Sequence, residues 1–284
     1  MNALRPARLG AAAALAVAAP VAIGIGYIAL RAFADPASAR GYSATRLLRV
    51  LAEPVLVEAV IWSLVTAGVA TLLALGAAVA TAVLLRGQTR LERVARAVAV
   101  LPLPVPHLVA AALGVLLLAE SGLAMRLLVL LGVLPDLKSA PELLYDRLGI
   151  GTILVLAWKE FPFLALLASA VLAQRGAALE DAARTLGATP WQAFARVTWP
   201  LLLRSLAPAI LAVFTFAAGS YEIAALLGPS DPLPFPVLLY ERHTDAALAT
   251  RADADVLSLL ALGAALAAVA LHEWLRRRAE ADLG

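Results

Sequence analysis

Six apolar runs, each about as long as a helix needs to cross a bilayer, decide most of what this chain can become. Residues 9–30, 59–85 and 97–119 carry no formal charge. Residues 148–174 are interrupted only by Lys159 and Glu160, residues 205–227 only by Glu222, and a sixth run extends from Val256 to His272. A spanning helix takes about 17–25 apolar residues, and a backbone in lipid has no water to bond, so each segment must close its own hydrogen bonds. The runs are too long and too continuous for tilted barrel strands of about 9–11 residues. Composition agrees, with 62% apolar residues against roughly 45–50% in soluble domains. The fold class that follows is all-α, a polytopic membrane protein with six transmembrane helices. A seventh stretch, residues 127–134, is too short to span, lies between Arg126 and Pro135, and is expected in the interface.

The first run follows Arg5 and Arg8 as a secretory leader would, but its 22 apolar residues exceed the usual ~7–15 of a leader. It is read as a retained helix. Orientation comes from Lys and Arg near the helix ends. With the N-terminus inside, 13 of the 23 basic residues fall on the inner side and 9 outside, Lys159 being within the membrane. Both termini are therefore expected in the cytoplasm, although Arg31, Arg40, Arg46 and Arg49 count against it. No basic stripe suggests nucleic acid, and the absence of cysteine leaves no disulfide framework.

This orientation puts the segment "EDAARTLGATPWQAFARVTWP", residues 180–200, on the cytoplasmic side between the fourth and fifth helices. Leu179, Ala182, Ala183 and Leu186 recur at helical spacing and form one apolar stripe, while Glu180 and Arg184 are placed to pair at i, i+4. Gly187 supplies a left-handed helix end. Thr189, Pro190 and Gln192 then spell a capping box with proline at the first helical position. A second short helix carries Trp191, Phe194 and Val197 on one side, and Pro200 is expected to break it. The reading is a rigid, right-angled pair of short helices with an apolar face, suited to docking against another protein.

The segment resembles the EAA loop of permease subunits of binding-protein-dependent ABC importers, whose pattern is E-A-A, three residues, G, nine residues, I-x-L-P. Asp181, Ala182, Ala183, Gly187, Val197 and Pro200 keep that spacing, with Asp for Glu, Val for Ile and Trp199 for Leu. "WKEFPF", "PLPVPHLVAAALG" and the six-helix layout extend the resemblance over residues 50–275 or so. It implies an N-terminal helix at 1–30, an external segment at 31–53, a permease core at 54–275 containing the coupling loop 177–200, and a cytoplasmic tail at 276–284. It also implies that Leu179, Glu180, Asp181, Ala182, Ala183, Leu186, Gly187, Trp191, Phe194 and Pro200 couple to a cytoplasmic ATP-binding subunit dimer. A second permease subunit, the same chain or a different one, and an extracytoplasmic solute-binding protein complete the assembly in the inner membrane.

Catalytic chemistry within the chain finds no support. A phosphate-binding loop needs a glycine-rich turn ending in Gly-Lys-Ser/Thr, and the only lysines are Lys138 and Lys159. ATP and Mg are therefore expected on the partner ATPase, with no cofactor in this chain. "HEWLR" at His272 has Arg276 where a zinc site needs a second histidine, and His107, His243 and His272 lie in separate segments. The rival class, an ATP-independent channel or scaffold, would need no ATPase partner.

Ionisable residues in lipid are costly and face a cavity or a partner. Lys159 and Glu160, about 100° apart on a helix, and Glu222 with Ser220 and Tyr221 are the candidates for the solute path. Pairing with a neighbouring helix is the competing reading for Lys159 and Glu160, and His107 is read as a packing or hydrogen-bonding residue. "PLPVP" at 102–106 reads as a broken helix entry. The long segment after the fifth helix, residues 228–255, is expected to face the solute receptor. Glu222 favours a cationic cargo and Lys159 an anionic one, and a polyamine-like or other small cationic solute is the expectation.

Overall fold

The computed structural model of the chain describes residues 4–34, 41–87 and 89–281. Part of the expected external segment, residues 35–40, and the last three residues of the expected tail lie outside the described residues. The described residues form thirteen α-helices: α1 Leu4–Phe33, α2 Thr45–Leu51, α3 Pro54–Leu84, α4 Arg90–Val100, α5 His107–Leu118, α6 Leu123–Leu130, α7 Ile150–Val171, α8 Ala177–Thr185, α9 Pro190–Ala193, α10 Trp199–Ala218, α11 Tyr221–Leu227, α12 Phe235–Thr244 and α13 Leu248–Ala281. No β-strand occurs among them. Six segments are long and apolar enough to cross a membrane: Leu15–Phe33, Pro54–Leu84, His107–Leu130, Ile150–Gln174, Pro190–Ala218 and Leu248–Trp274.

Three boundaries differ from the expectation. The third run does not start at residue 97. Pro102, Pro104 and Pro106 lack the N–H that a helix interior needs and bias the residues before them away from helix, so the chain turns between Val100 and His107 and residues 97–100 finish the amphipathic α4. The stretch 127–134 splits: its first four residues end α6, inside the third span, and Gly132 with φ 72° closes the turn that follows. The fifth run is broken at Gly219–Ser220, so α10 and α11 are separate helices and Glu222 lies in the first turn of α11. The long segment at 228–255 also has structure, holding α12 and the first turns of α13.

The chain forms two compact units, residues 1–57 with 238–284, and residues 58–237. In the first, α1 packs along α13, and α2 packs against both. Asp253 and Asp255, each 6% exposed, would be costly there without partners. Arg31 meets Asp255 at 2.9 Å, Arg46 and Arg49 reach Asp253, and Glu53 takes Arg49 and Arg242. Three of the arginines that counted against the topological bias are thus engaged by carboxylates of their own unit.

In the second unit α3 presents Ala67, Ala70, Ala74, Ala78 and Ala82, all buried and spaced by three or four residues. Small residues let helix backbones approach in a membrane, where packing drives association. Toward its C-terminal end this stripe meets Leu164, Ala165 and Ala168 of α7 and Leu202 and Leu206 of α10. Toward its other end it meets Ala110 and Ala111 of α5, Val155 of α7 and Ile223 and Leu227 of α11. Gly114 of α5 marks the tightest of these contacts: a Cβ there would lie 2.7 Å from Val155 Cγ2 and 3.3 Å from Leu227 Cδ1.

Gly114→Ala therefore pits a helix-propensity gain of up to about 1 kcal/mol against overpacking of about 1–3 kcal/mol beside a stiff valine. The variant is expected to melt at a lower temperature in detergent, and Gly114→Ala with Val155→Ala to recover most of the loss. A single variant as stable as the parent would show that α5 has slack to move.

Candidate coupling hairpin and intramembrane polar sites

The hairpin is built by local sequence. A widened turn at Leu172–Gly176 leads from α7 into α8. α8 closes in a Schellman motif, Gly187 N–H donating to Arg184 O at 2.9 Å and Ala188 N–H to Ala183 O at 3.0 Å. Gly187 has φ 91°, and nothing lies within 4 Å of a Cβ built on it. Backbone handedness, and not lack of space, requires glycine there. The expected capping box is present: Thr189 Oγ1 accepts from Gln192 N–H at 3.3 Å, and Thr189 N–H donates to Gln192 Oε1 at 3.0 Å.

Two expectations fail here. Pro200 does not break the second helix. α9 passes through a wide π turn at Phe194–Thr198 into α10, where Pro200 lies in the first turn, so that Pro190–Ala218 is one continuous span. The π turn directly ahead of Pro200 is the kind of local adjustment by which a membrane helix accommodates a proline's missing N–H. Glu180 bonds to Arg86 and not to Arg184. Arg86 follows the end of α3, and its Nη1 donates to Glu180 Oε2 at 2.6 Å, while Thr198 Oγ1 donates to the same oxygen at 3.2 Å. The Arg86 hydrogen bond, outweighing partial desolvation, holds the Glu180 carboxyl below the ordinary carboxylate range.

The remaining hairpin residues divide by exposure. Phe194 and Trp199 pack against the α3–α7–α10 core and Ala193 is fully buried. Leu186 is 90% exposed, Trp191 72% and Leu179 47%, with Asp181 and Ala182 exposed and Ala183 after them half-buried. The hairpin thus offers an exposed apolar surface, its Trp191 ring resting 5.7 Å from that of Phe194, on the same short helices as the exposed Asp181 carboxylate.

Lys159 of α7 is 6% exposed, and its Nζ donates to Leu103 O at 3.3 Å. The proline-rich break before α5 leaves that carbonyl free to accept. On the adjoining face Glu160 Oε1 and His107 Nε2 lie 3.0 Å apart, the His107 ring resting 4.7 Å from Phe216. Lys159 and Glu160 are therefore satisfied by different partners within the second unit. Ser220, Tyr221 and Glu222 gather at the α10–α11 break: Ser220 Oγ is buried without a hydrogen-bond partner, Tyr221 is half-buried and Glu222 is exposed. The sequence reading missed this break, which the Gly219–Ser220 pair signals. It also missed the carboxylates of "ADAD" at 252–255 as partners for the outlying arginines.

Residues 70–280 match the family described as the binding-protein-dependent transport system inner membrane component. The chain is 28% identical to the probable sulfate transport system permease protein cysT of Chlorokybus atmophyticus over 68% of its own length and 66% of that protein. It is 29% identical to the inner membrane ABC transporter permease protein YnjC of Escherichia coli (strain K12) over 77% of its own length and 41% of that protein. The chain thus spans less than two thirds of these relatives. A crystal structure of a bacterial ABC transporter involved in the import of the acidic polysaccharide alginate shares the fold, with a TM-score of 0.73 at 17% identity over 97% of this chain and 98% of that one. With the family matched over most of its length and six spans of the right kind, the chain belongs to the inner-membrane permease components of binding-protein-dependent ABC transport systems.

Proposed function

We propose that the chain forms half of a solute pathway in an ATP-driven importer and docks a cytoplasmic ATPase dimer through residues 180–200. The observation that carries this reading is the hairpin tip: Leu186 and Trp191 stand exposed on either side of a turn fixed by Gly187 and the Thr189 capping box, with Leu179 exposed near the other end of α8. Exposed apolar groups on a rigid, capped turn fit a groove in a partner protein, and aromatic side chains carry much of the energy at such contacts. ATP and Mg belong to the partner. The second half of the pathway is another permease chain or a second copy, and both termini lie in the cytoplasm. An external binding protein delivers the solute; a bacterial alginate ABC transporter has been crystallised in complex with its alginate pentasaccharide-bound periplasmic protein. When ATP draws the two ATPase subunits together, the docked hairpins approach each other and the pathway opens outward; release reverses the movement.

For the cargo, Lys159 no longer balances Glu222. Lys159 is buried against Leu103 O, whereas Glu222 is exposed in the first turn of α11 beside the unpartnered Ser220 hydroxyl. The accessible formal charge is negative, which favours a small cation of the polyamine kind.

Four outcomes are expected. A reporter fused after Arg184 reads cytoplasmic and one after Thr244 external; the reverse would put the hairpin on the wrong side for ATP. Gly187→Val, which forces a β-branched residue into a left-handed conformation at about 1–2 kcal/mol or more, leaves the chain in the membrane but weakens ATPase co-purification and substrate-stimulated hydrolysis. Asp181→Lys has the same effect and Asp181→Glu is tolerated; wild-type coupling in Gly187→Val would reduce the hairpin to an ordinary connector. Glu222→Gln lowers uptake with assembly intact, and unchanged uptake would remove Glu222 from the path.

A further inference from the structure

A single carboxylate oxygen, Glu180 Oε2, receives hydrogen bonds from two parts of the chain far apart in sequence. Arg86 comes from beyond the end of α3, and Thr198 from the π turn that roots α10. Charge-assisted bonds of this kind are shorter and roughly twice as strong as neutral ones, and the site is sheltered, Glu180 being 20% and Arg86 34% exposed along their side chains while Thr198 is fully buried.

The Arg86 side of the contact is itself anchored. Arg96 of α4 donates to Leu85 O and Gly87 O, on either side of Arg86. Glu92 accepts from Thr89 N–H at 2.9 Å and from Thr89 Oγ1 at 2.6 Å, fixing the start of α4. The turn after α3 is thus clamped from both ends, and Arg86 projects from it as a fixed strut. α8 enters from α7 through a wide π turn and leaves through the Gly187 Schellman turn, so its covalent connections run only to α7 and α9, and the Arg86–Glu180 bond adds a tie to a third element.

We infer that Arg86 and Thr198 are positioning residues for the hairpin, joining α8 through Glu180 to the end of α3 and the root of α10. A displacement of the hairpin is then delivered to α3, α7 and α10 together, and not only to the two helices that flank it in sequence. This rests on the docking reading for its use, but the joint is a property of this chain and can be tested without a partner.

The experiment compares Arg86→Glu, Glu180→Arg, the exchanged pair Arg86→Glu/Glu180→Arg, and Thr198→Val. Backbone amide exchange over residues 178–186 is measured in the purified chain in lipid nanodiscs. Uptake and ATP hydrolysis are measured in vesicles containing the whole transporter. Each single charge reversal should speed exchange and lower uptake per ATP hydrolysed by about tenfold, and the exchanged pair should recover both to within about threefold, as coupled neighbours do in a double-mutant cycle. Thr198→Val should give a smaller loss in the same direction. Unchanged exchange in both reversals, or an exchanged pair as defective as the worse single variant, overturns the joint. If exchange responds as expected but the parent chain binds no ATPase, the joint stands and the docking reading falls.

Discussion

The alanine stripe on α3 sets the register of everything the second unit does. Five buried alanines at three- and four-residue spacing seat α3 in one cluster with α7 and α10, beside Leu75 and Val79 of α3 itself, and in a second cluster with α5 and α11. Arg86 lies just beyond the end of α3, whose last buried alanine is Ala82, and its guanidinium reaches Glu180. At the other end of the stripe, Ala67 and Ala70 join the cluster that holds α5 and α11, and with them the break that exposes Glu222. A bulky residue on the stripe would misplace both the hairpin anchor and the polar corner through one helix shift.

Much of this was legible in the sequence, and the reasons are local. Uncharged runs of spanning length reveal membrane helices because lipid imposes one rule on every backbone group. The Gly187 turn and the Thr189 capping box were legible because each is written within a few consecutive residues. The partner of Glu180 was not. Arg184 at i+4 is the near choice, and Arg86, 94 residues earlier, comes into reach only through helix packing. The same holds for Asp253 and Asp255, whose arginines lie on α1 and α2. Pro200 misled because a proline after a short helix ordinarily ends it, whereas here a π turn carries the helix onward.

The two polar regions of the second unit differ in what they leave open. Around α7 the proline break before α5 provides an acceptor for Lys159 and places His107 against Glu160, so both ionisable groups have partners. At the α10–α11 break, Ser220 Oγ is buried and unbonded beside an exposed carboxylate. Unmet hydrogen-bonding capacity in a buried site is costly, so the break retains a cost that the bonds around α7 have already removed there.

The adjacency of Lys159 and Glu160 has an electrical consequence. Their formal charges cancel, so α7 carries no net charge across its span, Ile150–Gln174. A helix bearing one uncompensated charge would do work against the membrane potential of about 2.3 kcal/mol for each 100 mV it traversed. With the charges matched on neighbouring residues, carrying the pair together along the membrane normal would take almost no electrical work, and the membrane voltage would neither drive nor oppose it.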